Sequence, residues 1–590
     1  MQTIILFAIV SVTSFPSADS QFQSLAASYV RQFPALSPVT ATVLGDHRFD
    51  GKLDEVSPAA RQRAVDLYRE FLIRLNKIEV AELSRPHQVD LALLRHELRA
   101  KLWRMEELQE WAWNPLVYTE LSGRAIYGLM ARDFAPVQER LLNVVSRLEQ
   151  LPRMLQQVEG TLDARRVPRI HAETAIKQNR GVLSTINNLV VPLIDRLSAK
   201  DAVRLNQAIE SARKAVHAHQ EWLESELLPD ASGDYRLGAV LYDKKLSFAL
   251  HTPMTRQQLR KRAVAELSRV RREMYQIAQR AYLDKFPFTI FPAAPSEEYQ
   301  QAMIRAALEM AYVDRPNAEE VLDTAKASLA LTTEFVRKKD LLTIPPDPLE
   351  IIAMPEFQRG VSFAYCDSPG PLDVGLKTFY AVSPIPKDWN PQQIDSFLRE
   401  YNVRSIHDLT VHEAMPGHFV QLAIANQYPG KLRSVLASGT FIEGWAVYAE
   451  QMMADEGLLD DDPLMKLIAR KWYLRGIANA ILDQSIHTDG ISRDQAMRLM
   501  MEDTFQEERE AAAKWTRAQL TAAQLSTYFV GYLEHADLRR EIEAKRQGQF
   551  QIKQYHDQVL SYGSPPVKFV RALMLDLPIS QAPARIEEAN

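Results

Sequence analysis

The segment TVHEAMPGHFVQ at residues 410–421 combines two histidines, a glutamate and a Pro-Gly pair. Imidazole nitrogens and carboxylate oxygens are the ligands that zinc takes in catalytic sites, where a nearby carboxylate can accept a proton from the metal-activated water. In the HExxH motif the two histidines are four residues apart and share one helix face. Here His412 and His418 are six apart (418 − 412), which places them roughly 120° from each other on a regular helix. An unbroken helix therefore cannot bring both histidines to one metal ion.

The Pro-Gly pair offers a way to accommodate this longer spacing. Pro416 has no N–H and clashes with the turn before it, and Gly417 tolerates unusual backbone angles. Extra residues in a helix can be absorbed as a bulge, and such bulges gather at functional sites. We expect the two additional residues to loop out here and to bring His412 and His418 together. The alternative is a solvent-exposed charged face on a helix that ends at Pro-Gly.

A third ligand is predicted shortly after the second histidine. SGTFIEGWAVYAEQMM at 438–453 predicts a helix on which Glu443 and Glu450 share a face beside an apolar stripe. A carboxylate next to a core stripe needs a partner if it is buried. Glu443 follows His418 by 25 residues (443 − 418), enough for a helix, a turn and the start of the next helix. Glu443 is therefore the third candidate ligand, and Glu450 is a candidate for supporting the ligands from behind.

The elements that must position these residues are mostly helices. Apolar residues at steps of three and four recur along most of the chain. Pro, Asp, Ser and Gly cluster in LLPDASGDYRLG, so we divide the chain into an N-terminal helical region at 21–230 and a helical catalytic region at 231–590. The Pro-rich segment 340–392 contains short β-type runs and predicts a small sheet just before the histidine motif. The predicted fold class is mainly α with one small β segment.

Composition excludes some classes of function. The 590 residues are 46% hydrophobic and 25% charged, which is ordinary for a globular protein. The net charge is −5, and no clustered basic charge indicates a nucleic-acid partner. Cys366 is the only cysteine, so no disulfide can form within the chain.

The N-terminus predicts export. MQTIILFAIVSVTSFPSADSQFQ has an apolar run at 3–15 followed by small residues, which is typical of a secretory signal at 1–20, although no Lys or Arg precedes the run. The alternative is a buried N-terminal helix. The run is too short to span a bilayer comfortably, and no later segment resembles a transmembrane helix. No cysteine lies near the predicted cleavage site, so lipid attachment there is excluded. We expect a secreted or periplasmic protein.

HEAMPGHFVQ followed by FIEGWAVYAE resembles the bacterial "domain of unknown function 885" family, whose members carry HEAxPGH and then EGWAxYxE. Weaker similarity continues in the segments 474–496, 517–544 and 555–566. The chain departs from the family pattern outside the core motif, at Asn479, Ser485, Ala522 and Ala523. The family is usually placed near helical zinc peptidases such as thimet oligopeptidase and angiotensin-converting enzyme. The resemblance implies a large α-helical fold with a deep cleft, one zinc ion held by two histidines and a glutamate, and hydrolysis of short peptides.

Residues 524–539 predict a helix with a polar stripe. Tyr528, Tyr532, His535 and Arg539 fall on one face. Peptide hydrolysis needs a donor for the developing oxyanion, and Tyr528 matches the family tyrosine, so the resemblance favours Tyr528 for this role. The other three are candidates for substrate binding, with Arg539 suited to a bidentate pair with a carboxylate. The alternative is an amphipathic helix whose polar face lies in water.

Asp483 and His487, four residues apart, are candidates for orienting a metal ligand from the second layer. They could equally form a pair on the surface.

The function predicted from these observations is an exported zinc peptidase acting on short peptides. His412, His418 and Glu443 hold one Zn²⁺, and Glu413 acts as general base and later as proton donor. One alternative is a metal-dependent hydrolase of a small non-peptide amide. Another is a non-catalytic helical binding protein on the same scaffold, which the presence of Glu413 disfavours.

Overall fold

The computed structural model of the chain describes residues 17–355, 358–359 and 362–581. Helices dominate it, as the sequence predicts. The helices up to residue 230 are α1 (Ala18–Gln32), α2 (Pro38–Val43), α3 (Pro58–Leu75), α4 (Arg85–Trp103), α5 (Glu110–Trp113), α6 (Leu116–Met130), α7 (Val137–Glu159), α8 (Arg169–Thr185), α9 (Ala199–Trp222) and α10 (Leu228–Asp230). The helices that follow are α11 (Gly238–Leu250), α12 (Arg256–Lys285), α13 (Glu297–Tyr312), α14 (Val321–Lys339), α15 (Pro391–Glu400), α16 (Val403–Glu413), α17 (His418–Asn426), α18 (Lys431–Val435), α19 (Gly439–Asp455), α20 (Leu458–Asp461), α21 (Pro463–Gln484), α22 (Arg493–Arg498), α23 (Glu508–Leu520), α24 (Ser526–Arg546), α25 (Ile552–Ser561) and α26 (Val567–Leu575).

A small sheet interrupts the helices directly before α15. Its strands are β1 (Leu349–Ala353), β2 (Ala364–Asp367) and β3 (Thr378–Val382), in the order β1-β3-β2. β1 runs parallel to β3 and β2 runs antiparallel to it. All three strands lie inside the segment 340–392, so the predicted small β segment is confirmed. β2 is an edge strand of this sheet.

The hydrophobic core is divided among several clusters. One large cluster is formed by residues between Val39 and Ala231, and another by residues between Tyr242 and Leu533. The predicted joint between 230 and 231 coincides with the end of α10. Smaller clusters join distant parts of the chain, as where Leu432 packs with residues of α1, α3 and α4. The division into two regions stays a prediction.

Most of the predicted signal segment, residues 1–16, lies outside the described residues. The predicted cleavage position after Ser20 falls in the first turn of α1, where the Ser20 N–H donates to the Ser17 hydroxyl. Cleavage there stays a prediction. Among the described residues, no helix combines the length and apolarity needed to cross a bilayer.

Two helices of the C-terminal half, α19 and α24, approach each other at paired glycines. A Cβ on Gly444 would lie 2.3 Å from the backbone of Gly531, and a Cβ on Gly531 would lie 2.1 Å from the Thr440 carbonyl oxygen. Only glycine permits this backbone contact. The close crossing brings the first turn of α24 beside the turn of α19 that carries Glu443.

Candidate metal centre and its cavity

The histidine motif is divided between two helices. α16 ends at Glu413 and α17 begins at His418, with a cis peptide bond between Met415 and Pro416. The expected bulge within one continuous helix is therefore wrong. The chain instead leaves the helix at Ala414 and starts a new one, because Pro416 cannot continue the hydrogen-bonding pattern.

Gly417 makes the tight return possible. Its N–H donates to the Val411 carbonyl oxygen at 2.9 Å. A Cβ at this position would lie 1.9 Å from the His412 carbonyl oxygen, which is too close for any residue other than glycine. The Trp445 indole N–H fixes the same turn from α19 by donating to the Pro416 carbonyl oxygen at 3.0 Å. The break thus folds α17 back so that His418 faces the end of α16.

This turn brings His412 and His418 together with Glu443. One ligand atom from each of the three side chains lies within 4.8 Å of the other two. Glu443 Oε2 is 3.7 Å from His412 Nε2 and 3.5 Å from His418 Nε2. Ligands of a tetrahedral zinc at bond lengths of about 2.0–2.2 Å are separated by roughly 3.4 Å. The three side chains therefore have the chemistry and the spacing for one zinc ion.

The burial of the cluster also fits a metal. Glu443 Oε2 is buried and has no hydrogen-bond partner among the described residues, and the same holds for His418 Nδ1. An unpaired buried carboxylate oxygen is costly, and a cation between the three side chains would remove that cost. Burial alone would raise the pKa of Glu443, but the imidazoles of His412 and His418 hold that pKa well below its usual range.

Glu450 orients the first histidine. The His412 Nδ1–H donates to Glu450 Oε1 at 2.5 Å, so Nε2 of the same ring is left to face Glu443. Such a carboxylate fixes the tautomer of a ligating histidine and increases its basicity. The structure therefore places Glu450 behind the cluster, where the sequence predicted it.

Asp408, one turn before His412, was missed by the sequence reasoning. It is fully buried, and neither carboxylate oxygen has a hydrogen-bond partner among the described residues. Burial and the charge of Glu450 raise the pKa of Asp408 well above its usual range. Its position four residues before a ligand on the same helix face was the available signal.

Glu413 lies beside the cluster and lines the same cavity. Its side chain is buried, and burial raises its pKa, while the neighbouring imidazoles and the main-chain N–H of Cys366 oppose that rise. Cys366 belongs to β2, so the candidate general base contacts the edge strand of the sheet. A carboxylate with a raised pKa, next to a candidate metal site, is suited to accept and return a proton.

The cluster lies in a cavity of about 990 Å³. The walls come from β2, α21 and α23, and from Thr174, Lys177 and Gln178 on α8 in the N-terminal half. This volume is at the upper end of what small-molecule sites offer.

Tyr528, at the start of α24, faces this cavity. Its ring centroid is 6.4 Å from that of His412, and its hydroxyl accepts a hydrogen bond from Arg517 NH2 at 3.1 Å. Arg517 also donates to Gln524 Oε1 at 3.0 Å. Neither Arg517 nor Gln524 was predicted from the sequence, although both lie in the segment 517–544 that resembles the family.

The other three residues of the predicted stripe do not reach the cluster. Tyr532 packs on Tyr473, His535 Nε2 donates to the Phe441 carbonyl oxygen, and Arg539 donates to the Tyr448 hydroxyl. None of the three is among the described residues that line the cavity. The stripe runs along the axis of α24 for eleven residues, or roughly 16 Å, so only its first member comes near the cluster.

Asp483 and His487 are both buried, so the alternative that they form a pair on the surface is wrong. The Asp483 carboxylate accepts from the Ala523 N–H and the Ser526 hydroxyl, both at 3.0 Å. His487 Nε2 donates to the Thr521 carbonyl oxygen at 2.8 Å. The two side chains hold the link between α23 and α24, and so position Arg517 and Tyr528 rather than a metal ligand.

The fold and the site together define a large α-helical protein with a candidate two-histidine, one-glutamate metal centre inside a deep cavity. The chain belongs to a family described as bacterial protein of unknown function (DUF885), whose pattern matches residues 38–574. The family resemblance seen in the sequence is thereby confirmed.

Solved structures with the same fold exist. One is a "putative lipoprotein of unknown function" from Shewanella oneidensis, 31% identical, covering 94% of this chain and 99% of that one with a TM-score of 0.77. Another is a "putative lipoprotein" from Colwellia psychrerythraea, 17% identical, covering 95% of this chain and 99% of that one with a TM-score of 0.76. At this identity the second likeness concerns the fold alone. No curated protein sequence is significantly similar to this chain.

Proposed function

We propose that the protein is a zinc-dependent peptidase that hydrolyses short peptides outside the cytoplasm. The observation that carries this proposal is the convergence of His412, His418 and Glu443 beside the buried carboxylate of Glu413. Two imidazoles and one carboxylate with a fourth position open to a cavity are the donor set of hydrolytic zinc sites. The likeness to thimet oligopeptidase and angiotensin-converting enzyme is part of the same proposal.

His412, His418 and Glu443 would hold the zinc ion, which when bound supplies Lewis acidity that lowers the pKa of a water molecule. Glu413 accepts the proton of the attacking water and returns it to the leaving amine. Its raised pKa supports these steps, because a carboxylate with a higher pKa is a stronger base and holds the proton until it is returned. Glu450 keeps the His412 ring in one orientation throughout.

Tyr528 is proposed as the donor to the oxyanion that develops on the scissile carbonyl. The Arg517 guanidinium donates to its hydroxyl oxygen, so the phenolic proton is free to point into the cavity. The positive charge of Arg517 makes that proton a stronger donor. This pairing acts only when negative charge develops, which is what transition-state stabilisation requires.

β2 is proposed to hold the substrate backbone. Ala364, Tyr365 and Cys366 line the cavity, and β3 is the one strand of the described residues that pairs with β2. An edge strand can pair with an extended peptide through main-chain hydrogen bonds. This supports a peptide over a compact small amide as the substrate.

Export is proposed from the apolar N-terminal run. The two similar structures, described as putative lipoproteins, support a location in the cell envelope.

The test combines zinc loading with hydrolysis. The purified protein is stripped with a chelator, reloaded with zinc and incubated with a library of short peptides that is read by mass spectrometry. We expect hydrolysis only in the zinc-loaded protein, and we expect Glu413→Gln to retain zinc but lose hydrolysis. Hydrolysis at the wild-type rate by Glu413→Gln would contradict the role of Glu413. Zinc-loaded protein without hydrolysis of any peptide would contradict the peptidase.

A further inference from the structure

The part of the cavity wall that does not belong to the cluster of His412, His418 and Glu443 carries an excess of positive charge. Seven Lys or Arg side chains and four Glu side chains line the cavity among the described residues, and three of those glutamates are Glu413, Glu443 and Glu450. The remaining wall therefore opposes seven cations with the single carboxylate of Glu510. The chain as a whole has a net charge of −5, so this excess is local.

Both carboxylate oxygens of Glu510 already accept a hydrogen bond. Its Oε1 accepts from Arg475 NH2 at 2.6 Å, and its Oε2 accepts from the Tyr401 hydroxyl at 3.0 Å. Arg475 also reaches Glu400, which pairs with Lys471. The charge of Glu510 is thus shared between Arg475 and Lys514.

Lys514 and Arg517 stand next to this network on the same helix, α23. Lys514 is buried, and its Nζ forms an ion pair with Glu510 Oε1 at 3.6 Å, longer than a hydrogen bond, on the oxygen that Arg475 already binds at 2.6 Å. Arg517 donates to the neutral Gln524 and Tyr528 side chains, and no carboxylate of the described residues lies within ion-pair distance of it. Two cations in a cavity wall without a full counter-charge are unfavourable unless an anion joins them.

Their placement relative to the cluster indicates which anion. Arg517 touches Tyr528, whose ring lies beside that of His412. Lys514 precedes Arg517 by three residues on α23, a rise of about 4.5 Å, which is comparable to the span of about 3.5 Å per residue of an extended peptide. The two cations therefore lie in the same cavity as the cluster, where a bound peptide would present its C-terminal carboxylate.

We propose that Lys514 and Arg517 bind the C-terminal carboxylate of the substrate, so that the protein removes residues from the C-terminal end of peptides. This inference rests on the proposed peptidase function and adds the direction of cleavage to it. Burial and the neighbouring Arg475 and Arg517 lower the pKa of Lys514 to about 7 although Glu510 opposes this, which is consistent with a lysine that shares its one carboxylate neighbour with Arg475.

The test uses N-acetylated peptides, each made as a free acid and as a C-terminal amide, with the zinc-loaded full chain. We expect the acids to be cleaved near their C-termini with a kcat/KM about 10- to 100-fold above that of the amides, the size of one or two charge-assisted hydrogen bonds. Lys514→Met should remove most of this ratio, and Lys514→Arg should retain most of it. Thermal unfolding of each variant checks that it is folded.

A matched control separates a local site from the general field of the cavity. Lys177 also lines the cavity but is exposed on α8, so Lys177→Met makes the same charge change elsewhere and should leave the acid-to-amide ratio intact. Equal loss in both variants would overturn the site. Equal cleavage of acids and amides by the wild type would overturn it as well, while leaving the peptidase proposal standing.

If no peptide is cleaved, calorimetric titration of the same peptides still tests whether the site binds a C-terminal carboxylate. Tighter binding of acids than amides that disappears in Lys514→Met would keep the carboxylate site while the peptidase proposal fails. Equal binding of acids and amides would overturn the site.

Discussion

The carbonyl oxygen of His412 occupies the space where any side chain on Gly417 would begin, 1.9 Å from the ideal Cβ position. Gly417→Ala must therefore move the turn that carries His418. We expect a loss of at least about 1–3 kcal/mol in the free energy of unfolding and a large loss of zinc affinity, measured by denaturant unfolding and by chelator competition. Gly439→Ala is the matched control, since nothing lies within 4 Å of its new Cβ. Wild-type zinc affinity in Gly417→Ala would contradict this account of the turn.

Glu450 is predicted to tune the metal centre without being a ligand. Glu450→Gln replaces the charged acceptor of the His412 Nδ1–H with a neutral one, so the imidazole becomes a weaker ligand. We expect zinc affinity to fall about 10- to 100-fold, with the stoichiometry still reaching one at high zinc. Glu456→Gln, just beyond the end of the same helix, should leave the affinity unchanged. Equal affinities for Glu450→Gln and the wild type would refute the role of this hydrogen bond.

Tyr528 and Tyr532 offer a paired test on one helix. Tyr528→Phe should lower kcat by about 100- to 1000-fold with little change in KM, because its hydroxyl is proposed to act on the transition state. Tyr532→Phe should leave both constants near wild type, because this side chain packs on Tyr473 outside the cavity wall. Similar kinetics for the two variants, measured with one peptide substrate, would argue against an oxyanion role for Tyr528.

Periodicity and residue type predicted much of the fold. The helices around Glu443 and Tyr528 and the small sheet in 340–392 follow from local patterns that burial in the structure reinforces. The cluster of His412, His418 and Glu443 could be named because two short segments held all its ligands. Local patterns could not predict how the elements pack against one another around the site.

The path between Glu413 and His418 depended on tertiary contacts that the sequence does not display. The Trp445 indole holds the Pro416 carbonyl from another helix, so a break was formed where a bulge was expected. Periodicity likewise defined the face of α24 but not which end of that face meets the cavity. That is why Tyr528 lies at the site while His535 and Arg539 lie elsewhere.

The pH dependence of substrate choice tests the state of Lys514. Its pKa of about 7 is set by burial, by Glu510, Arg475 and Arg517, with Tyr401 bound to Glu510 nearby. Below pH 7 the free protein carries the ammonium and attracts a carboxylate, and above pH 7 it progressively loses that charge. We expect the acid-to-amide ratio of kcat/KM to fall by about tenfold between pH 6 and pH 8.

Taking the ratio cancels the titration of groups that act on both substrates. Lys514→Arg is the control, because a guanidinium stays charged over this range. A ratio that falls equally in Lys514→Arg and in the wild type would assign the pH dependence to another group.

The most direct test of the central claim is the zinc content of the purified chain, measured by elemental mass spectrometry after dialysis against buffered zinc. The account predicts one zinc per chain in the wild type and in His217→Ala, whose imidazole is exposed on α9, and far less than one in His418→Ala and Glu443→Ala. A wild type without zinc, or His418→Ala with a full equivalent, would contradict a metal centre formed by the broken histidine motif.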